Sequence, residues 1–520
     1  MTKKTKLLSI GVAIVIAASV FSGCGNKQTT SSGSGKVTYW SPFYPHYSQV
    51  GTSMNDAPFF KELTKRTGVE IEFIHPPVGQ ESANFNLMVA SGELPDVIEY
   101  SFLSYKGGPE KAIDDNVIMD ITDLIAKKAP NLSKQLESHS EWNKQVKTDS
   151  GKYYCFPAIR GDESLDYWQG PQVRLDYLKK VNMEAPETIE EWEKMLIAFR
   201  DKLGLETPLT LKSNAENAHA FVGAYGITKR FFIDDGNVTF GPMTDEYEKY
   251  ITLMARWMKE ELLDPDFATH DSKTFDAKVS SGKAGAYIGT AGGDMGKFIA
   301  ATTQQNPDAK LIALKPPVLN KGDEPTIGFK DFDYIPAQSV SITTACKNID
   351  SAFKLLDYAY GEEGHMFYNF GTEGVSYNMV DGYPTYTDDI INPKEEGMTV
   401  QFAMTAYTRA AVMGPMIQDK RYFEQYMVNE CQKETAAAWK LSGDASWRMP
   451  NVTYTIEEAG KVASKLNEIE SYTAEMEIKF ITGAEPISKL KDFRKKLQAL
   501  GLDDVMKIMQ TAVERYENRN

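Results

Sequence analysis

Cysteine is scarce: the chain has four in 520 residues, at positions 24, 155, 346 and 431. Cys155, Cys346 and Cys431 are odd in number and far apart, so they imply no disulfide framework. Histidine is also rare. The six residues (His46, His75, His139, His219, His270 and His365) show neither H-E-x-x-H spacing nor a C-x-x-C partner, so no zinc site is expected. An excess of basic charge is missing: 57 Lys and Arg stand against 72 Asp and Glu, a net charge of −15. Nucleic-acid binding therefore has no electrostatic support. There is no G-x-S-x-G elbow. Gly35-Lys36 does not end a phosphate-binding loop, because Thr30 stands where the first glycine belongs and Val37 follows the lysine. Beyond the first two dozen residues no apolar run reaches ~18 residues, the length of a membrane span.

The first two dozen residues differ from the rest. Lys3, Lys4 and Lys6 form a positive start, and Leu7 to Phe21 is an apolar run of secretory-leader length. Phe21-Ser22-Gly23-Cys24 reads as a lipobox, which makes residues 1–23 a removable leader and Cys24 the acylated residue. Phe21 departs from the usual leucine, and a plain secretory signal or an anchor helix is the alternative. Residues 24–35 are rich in Gly, Ser and Thr and read as a flexible tether.

The remainder exceeds the ~250–300 residues that one core accommodates, so two or more lobes are expected. Val37–Trp40, Val69–Ile74 and Asp96–Tyr100 read as strands. They alternate with helices over Pro58–Thr67 and Ser82–Ser91, each stopped by a glycine. This β-α-β-α-β order predicts a parallel sheet, and ligands of such sheets bind beyond the carboxyl ends of the strands. Thr188 with Glu191 and Thr455 with Glu458 are capping boxes opening amphipathic helices. The stripe after Thr188 places Trp192 in the core. Phe231 to Phe240 reads as a hairpin turning at Asp235-Gly236, and the last ~140 residues as mostly helical.

Several segments, none specific alone, occur in a telling order: Ser91–Val97 (SGELPDV), Pro186–Trp192 (PETIEEW), Ser281–Tyr287 (SGKAGAY), Asp350–Gly364 (DSAFKLLDYAYGEEG) and Gly371–Tyr377 (GTEGVSY). With the lipobox and the length, the chain resembles the family 1 extracellular solute-binding proteins, the maltose-binding-like carbohydrate group, in its large lipoprotein branch. The resemblance covers nearly all of the chain after the tether. It implies an α/β fold of the two-lobed, type II periplasmic-binding-protein kind, with a helix-rich C-terminal portion. One lobe would comprise residues 36–158 plus 330–372, the other residues 159–329 plus 373–520. Hinge strands would lie near Phe156-Pro157-Ala158 and Gly374-Val375. The implied role is to close on an oligosaccharide and deliver it, as a monomer, to an ABC permease, with no cofactor and no catalysis. Relatives that bind acidic polysaccharides carry a calcium loop after the PETIEEW helix. Here Arg200 to Pro208 lacks the alternating oxygen ligands such a loop needs, so no metal is expected.

A sugar site combines aromatic platforms with polar groups that saturate hydroxyls. Position along the chain nominates Trp40, Tyr44 and Tyr47 after the first strand, Glu99 after the third, and Arg160, Asp162 and Trp168 past the first hinge crossing. Arg174, Tyr225, Phe232, Asp294, Asp333 and Tyr377 join them through the resemblance. Each aromatic has core packing as its alternative, and each arginine a plain ion pair, although an arginine fork would also suit a uronic acid. The Gly-rich Gly289–Asp294 stretch reads either as a place where ligand approaches the backbone or as a tight turn. Two other readings stay open. One is a polysaccharide-degrading enzyme whose carboxylates come from distant segments. The other is a binding protein for a non-sugar solute. The pairs Asp264/Asp266 and Asp234/Asp235 sit in turn-like contexts and do not favour the enzyme.

Overall fold

The computed structural model describes residues 35–212, 219–395 and 398–519. The leader, Cys24 and the tether as far as Ser34 lie outside them. Among the described residues no helix is long and apolar enough to cross a membrane.

The chain opens with β1 (Lys36–Trp40), β2 (Glu70–Ile74) and β3 (Val97–Glu99), joined through helices Pro58–Thr67 and Glu81–Ser91. The first helix starts on a proline, buries Phe59, Phe60 and Leu63, and stops at Gly68, whose φ of 67° lies in the left-handed region that favours glycine. β1 pairs in parallel with β2 and β3, as the alternation predicts. β4 (Phe156–Arg160) follows, then β5 (Gln169–Arg174), β6 (Thr207–Thr210), β7 (Phe231–Asp234), β8 (Asn237–Phe240), β9 (Ala284–Thr290), β10 (Leu311–Ala313) and β11 (Tyr334–Ile342). The hairpin β12 (Tyr377–Val380) and β13 (Tyr383–Tyr386) and the short β14 (Ile417–Gln418) complete the strands.

Two main sheets result. The first has the order β14-β4-β11-β3-β1-β2, the second β10-β5-β9-β6. Neither is wholly parallel. In the first, β11 runs against β3 and β4, while β14 runs with β4. β1, β2, β3, β4 and β14 therefore share one direction. In the second, β5 runs against β9 and β10, while β6 runs with β9. Each exception has the same origin. The chain leaves the first sheet at the carboxyl end of β4 and enters the second with β5. It returns to begin β11 at the carboxyl edge of the first sheet. A strand that starts at that edge has to run backwards.

Each sheet has its own apolar core. One gathers Val37, Trp40, Phe59, Ile98, Phe156, Val340 and Phe353, among others. The other gathers Val173, Trp192, Leu209, Phe221, Trp257 and Ala286 with Val462, Ile469, Phe480 and Val505 from the C-terminal helices. Burying each large side chain contributes roughly 1.5–3 kcal/mol, so each core is a substantial body. Trp192 lies fully inside, on a helix opened by the Thr188/Glu191 box. The Thr455/Glu458 box opens helix Ile456–Thr482, which Gly483 closes. The β7–β8 hairpin turns at Asp235 and Gly236, both with positive φ.

The segment 373–520 serves more than one body. Ile417 packs into the first core, Tyr377, Tyr386 and Met404 form a third small core with Phe370, and the last helices join the second core. Gly374 and Val375 form no strand. They sit in a turn, where Val375 and Ser376 both donate to the Thr372 carbonyl and Gly374 takes a φ of 78°.

Candidate functional site

The carboxyl ends of β1, β3, β4 and β14 lie on one edge of the first sheet. Those of β6, β9 and β10 lie on one edge of the second. Residues 161–168 run from the end of β4 directly to the start of β5, which sits at the second edge because Gln169 pairs with Thr290. The Ala291 N–H also donates to the Trp168 carbonyl at 2.9 Å. So short a connection holds the two edges close to each other, and the rule for open α/β sheets puts the ligand there.

At the first edge Glu99 gathers three polar partners. Glu99 is fully buried. It accepts from Tyr39 Oη at 2.6 Å, Tyr44 Oη at 2.7 Å and Arg409 Nη2 at 2.8 Å. Burial and then the neighbouring Glu99 charge push both phenols well above the usual tyrosine range. Trp40 is inside the core, donates to Asn84 Oδ1 at 3.2 Å and packs edge-on to Tyr100. Tyr47 is equally buried against Phe60. Trp40 and Glu99, at the ends of β1 and β3, and Tyr47, in the turn Pro45–Tyr47, thus build the edge from inside. Tyr44 stays half-buried, pinned by Glu99. Next to it His46 lies 6.2 Å from Phe402, on helix Val400–Tyr407, and burial lowers its pKa.

At the second edge Lys212 follows β6 and donates to Asp294 Oδ2 at 2.6 Å. The same carboxylate accepts from the Thr290 N–H at 2.9 Å, and the Asp294 N–H donates back to Thr290 Oγ1. Asp294 is therefore the lock of the turn after β9. Gly292 in this turn faces the Tyr426 ring so closely that a Cβ would overlap it. The glycine accommodates an internal ring, which favours the tight-turn reading of Gly289–Asp294.

The crossing between the edges holds the densest group of polar side chains. Arg160 Nη2 donates to Asp331 Oδ2 at 2.6 Å, and Trp168 Nε1 donates to the same oxygen at 2.9 Å. Trp168 meets Phe329 edge-on at 4.5 Å and remains half-exposed. Asp162 caps the short turn Glu163–Asp166 through Ser164 and pairs with Lys420 at 3.2 Å. The Asp333 carbonyl accepts from the Arg160 N–H at 2.7 Å. Burial raises the Asp333 carboxyl, and Arg448 and Lys330 oppose the rise. Asp166 is buried beside them. Burial and then the Asp333 charge lift its carboxyl to about 8. Asp331, Arg409 and Lys212 carry no local signal in the sequence. Only Asp166, six residues beyond Arg160, carried a local hint.

The remaining nominated residues lie elsewhere. Arg174 sits at the far end of β5 from Trp168, roughly 20 Å away at about 3.3 Å per residue, in a bidentate pair with Asp176 at 2.8 Å. Phe232 is in the second core. Tyr225 lines an acidic surface groove of about 670 Å³ between helices Ile189–Leu203 and Asp245–Lys259. Tyr377 packs on Phe370 in the third core.

Asp264 is fully buried, accepting from Thr210 Oγ1 at 2.6 Å and Lys278 Nζ at 2.6 Å. His270 turns its Nε2 to the Leu211 carbonyl at 2.8 Å. This set pins the end of β6. Among the described residues no three His, Cys, Asp or Glu side chains converge as metal ligands. The stretch Arg200–Pro208 is a helix end, a Gly204 cap and the start of β6.

A family model described as bacterial extracellular solute-binding protein matches residues 51–366, more than half of the chain. The chain belongs to this family. Among its relatives, lipoprotein LipO of Bacillus subtilis is 26% identical over 73% of this chain and 75% of its own. The fructooligosaccharide ABC transporter substrate-binding protein FusA of Streptococcus pneumoniae is 24% identical over 98% of both chains. The polygalacturonan/rhamnogalacturonan-binding protein YtcQ of Bacillus subtilis is 24% identical over 73% of this chain and 75% of its own. Two solved solute-binding proteins share the fold. An alginate-binding protein crystallised without calcium superposes with a TM-score of 0.76 at 22% identity, covering 94% of this chain and 99% of its own. FusA bound to kestose does so at 0.74 and 21%, covering 93% and 100%. The two sheets with separate cores are the two α/β lobes of this solute-binding fold.

Proposed function

We propose that this chain is the ligand-capturing subunit of an ABC importer, and that it closes its lobes on an oligosaccharide at the facing strand ends without chemically altering it. The match to FusA along 98% of both chains carries the reading, since that relative's name specifies fructooligosaccharide. The half-exposed Trp168, held at the crossing among carboxylates, supports it. An indole face takes a sugar C–H face, and carboxylates accept from sugar hydroxyls. The proposed site therefore centres on Trp168, Arg160 and Asp162, with Tyr44, Asp294 and Asp333 around it. The crossing segments at β4 and β11 are the proposed hinge between residues 36–158 plus 330–372 and residues 159–329 plus most of 373–520. The proposal extends to a monomer held outside the cell membrane by acylated Cys24, with permease subunits as partners.

Isothermal titration with fructo-, xylo- and gluco-oligosaccharides, followed by chromatography of the recovered sugar, tests this. Saturable binding with intact sugar is expected. Cleaved sugar in the eluate overturns the non-enzymatic part, and no heat with these three or with oligogalacturonate and alginate oligomers overturns the ligand class. Trp168→Ala is expected to weaken binding at least ~10-fold, as the loss of one stacking platform implies. Anchoring is tested separately: Cys24→Ala should release the protein from membranes into the medium.

A further inference from the structure

We infer that the ligand is an uncharged oligosaccharide and that oligouronates are rejected, an inference that rests on the carbohydrate reading above. An anionic sugar is held by a cation that no protein carboxylate has already claimed, typically an arginine fork. At the facing edges, among the described residues, Arg160, Lys212 and Lys420 are engaged by carboxylates, and Arg448 donates to the Lys330 and Asp331 carbonyls and lies over the Phe332 ring. Arg160 is held by Asp331 at 2.6 Å, Lys212 by Asp294 at 2.6 Å and Lys420 by Asp162 at 3.2 Å. The first two pairs are largely withdrawn from water, with side-chain exposures of 12% and 25% for Arg160 and Asp331, and 25% and 8% for Lys212 and Asp294. Arg409, at the first edge, is buried against Glu99 and cannot turn outward.

A uronate carboxylate arriving here would have to displace an aspartate that stays beside it. It would also face the Asp333 carboxyl group at the crossing. Like charges brought together in a partly desolvated site suppress the wrong partner strongly. The whole chain adds to this field with its net charge of −15. A neutral sugar meets the same groups favourably, because each paired carboxylate keeps lone pairs that accept from hydroxyls. Carboxylates already fixed by a cation are pre-organised acceptors.

Titration of the purified protein with kestose-type fructo-oligosaccharides, xylo- and gluco-oligosaccharides, and oligogalacturonate and alginate oligomers of matched length tests the inference. At least one neutral series is expected to bind at least ~100-fold more tightly than either acidic series, with an affinity insensitive to salt. In Asp294→Asn, which frees Lys212 from its carboxylate, the gap should narrow. Oligogalacturonate or alginate binding as tightly as the neutral series overturns the inference and leaves the carbohydrate reading standing. Binding of neither class overturns both.

Discussion

Asp166 is a carboxyl group that its surroundings hold in the protonated form. It is almost fully buried, and burial together with the Asp333 charge raises it to about 8, against Arg160, Lys330 and Arg448. Folded, it keeps its proton through a pH range where the unfolded chain has released it. The stability of the fold therefore falls as pH rises from the ordinary carboxylate value toward about 8, by at most ~1.4 kcal/mol per unit. Asp166→Asn removes this dependence. Thermal melts are expected to show the variant gaining on the parent steadily between about pH 5 and pH 8, and parallel pH profiles for the two would contradict the assignment. Arg409 poses the opposite case. Its guanidinium is the counter-charge to a carboxylate with no exposure to water. Arg409→Met leaves Glu99 to the two tyrosines, and loss of one partner of a buried pair costs about 3–5 kcal/mol. Urea denaturation should find that loss, and the double variant Glu99→Gln/Arg409→Met should recover much of it. Equal losses in single and double variants would show that the pair is not coupled.

At the scale of elements, the direction of β5 decides which residues meet. Because β5 starts at the edge of the proposed site, Trp168 lies there and Arg174 is carried to the opposite edge. Asp331 then fixes the orientation of Trp168, accepting from its Nε1 and from Arg160 on one oxygen. Asp331→Asn keeps the shape but weakens both bonds. We expect roughly 10-fold weaker sugar binding, with stability changed by no more than ~1 kcal/mol. A large stability loss would make Asp331 structural, and unchanged affinity would remove it from the site. These relations also show what could be read from the sequence. Helix Pro58–Thr67, the two capping boxes and the Asp235-Gly236 turn depend on neighbours a few residues away, so local chemistry revealed them. Arg160 and Trp168 stand eight residues apart, and their grouping was legible for the same reason. Asp331 is 163 residues from Trp168, and Arg409 is 310 from Glu99. No periodicity encodes such distances. Trp40 beside its turn residues gave no local sign of the Asn84 and Tyr100 pocket that encloses it.

At the scale of the molecule, the two cores are tied at a second place besides the crossing strands. Helix Leu502–Glu517 belongs to the second core, yet Arg515 Nε reaches Asp149 Oδ2 at 3.1 Å and Arg519 Nε reaches Asp149 Oδ1 at 2.8 Å. Arg515 also holds Glu458 at 2.6 Å. Asp149 follows Gln145, whose Oε1 accepts from the N–H of Tyr334 at the start of β11. The strap is therefore anchored beside the crossing segments. Contacts near a rotation axis move least when lobes close, so the strap should persist in open and closed forms alike. Its removal should then change stability and leave ligand affinity nearly untouched. For Asp149→Asn we expect a loss of about 1–2 kcal/mol at low salt, between the values of surface and buried pairs. The loss should shrink in molar salt, where the screening length is ~3 Å. Melting curves at the two salt levels and titration with the bound sugar measure both quantities on one preparation. An affinity change beyond about threefold would place Asp149 on the moving faces rather than at the axis, and the hinge would then have to be sought away from β4 and β11.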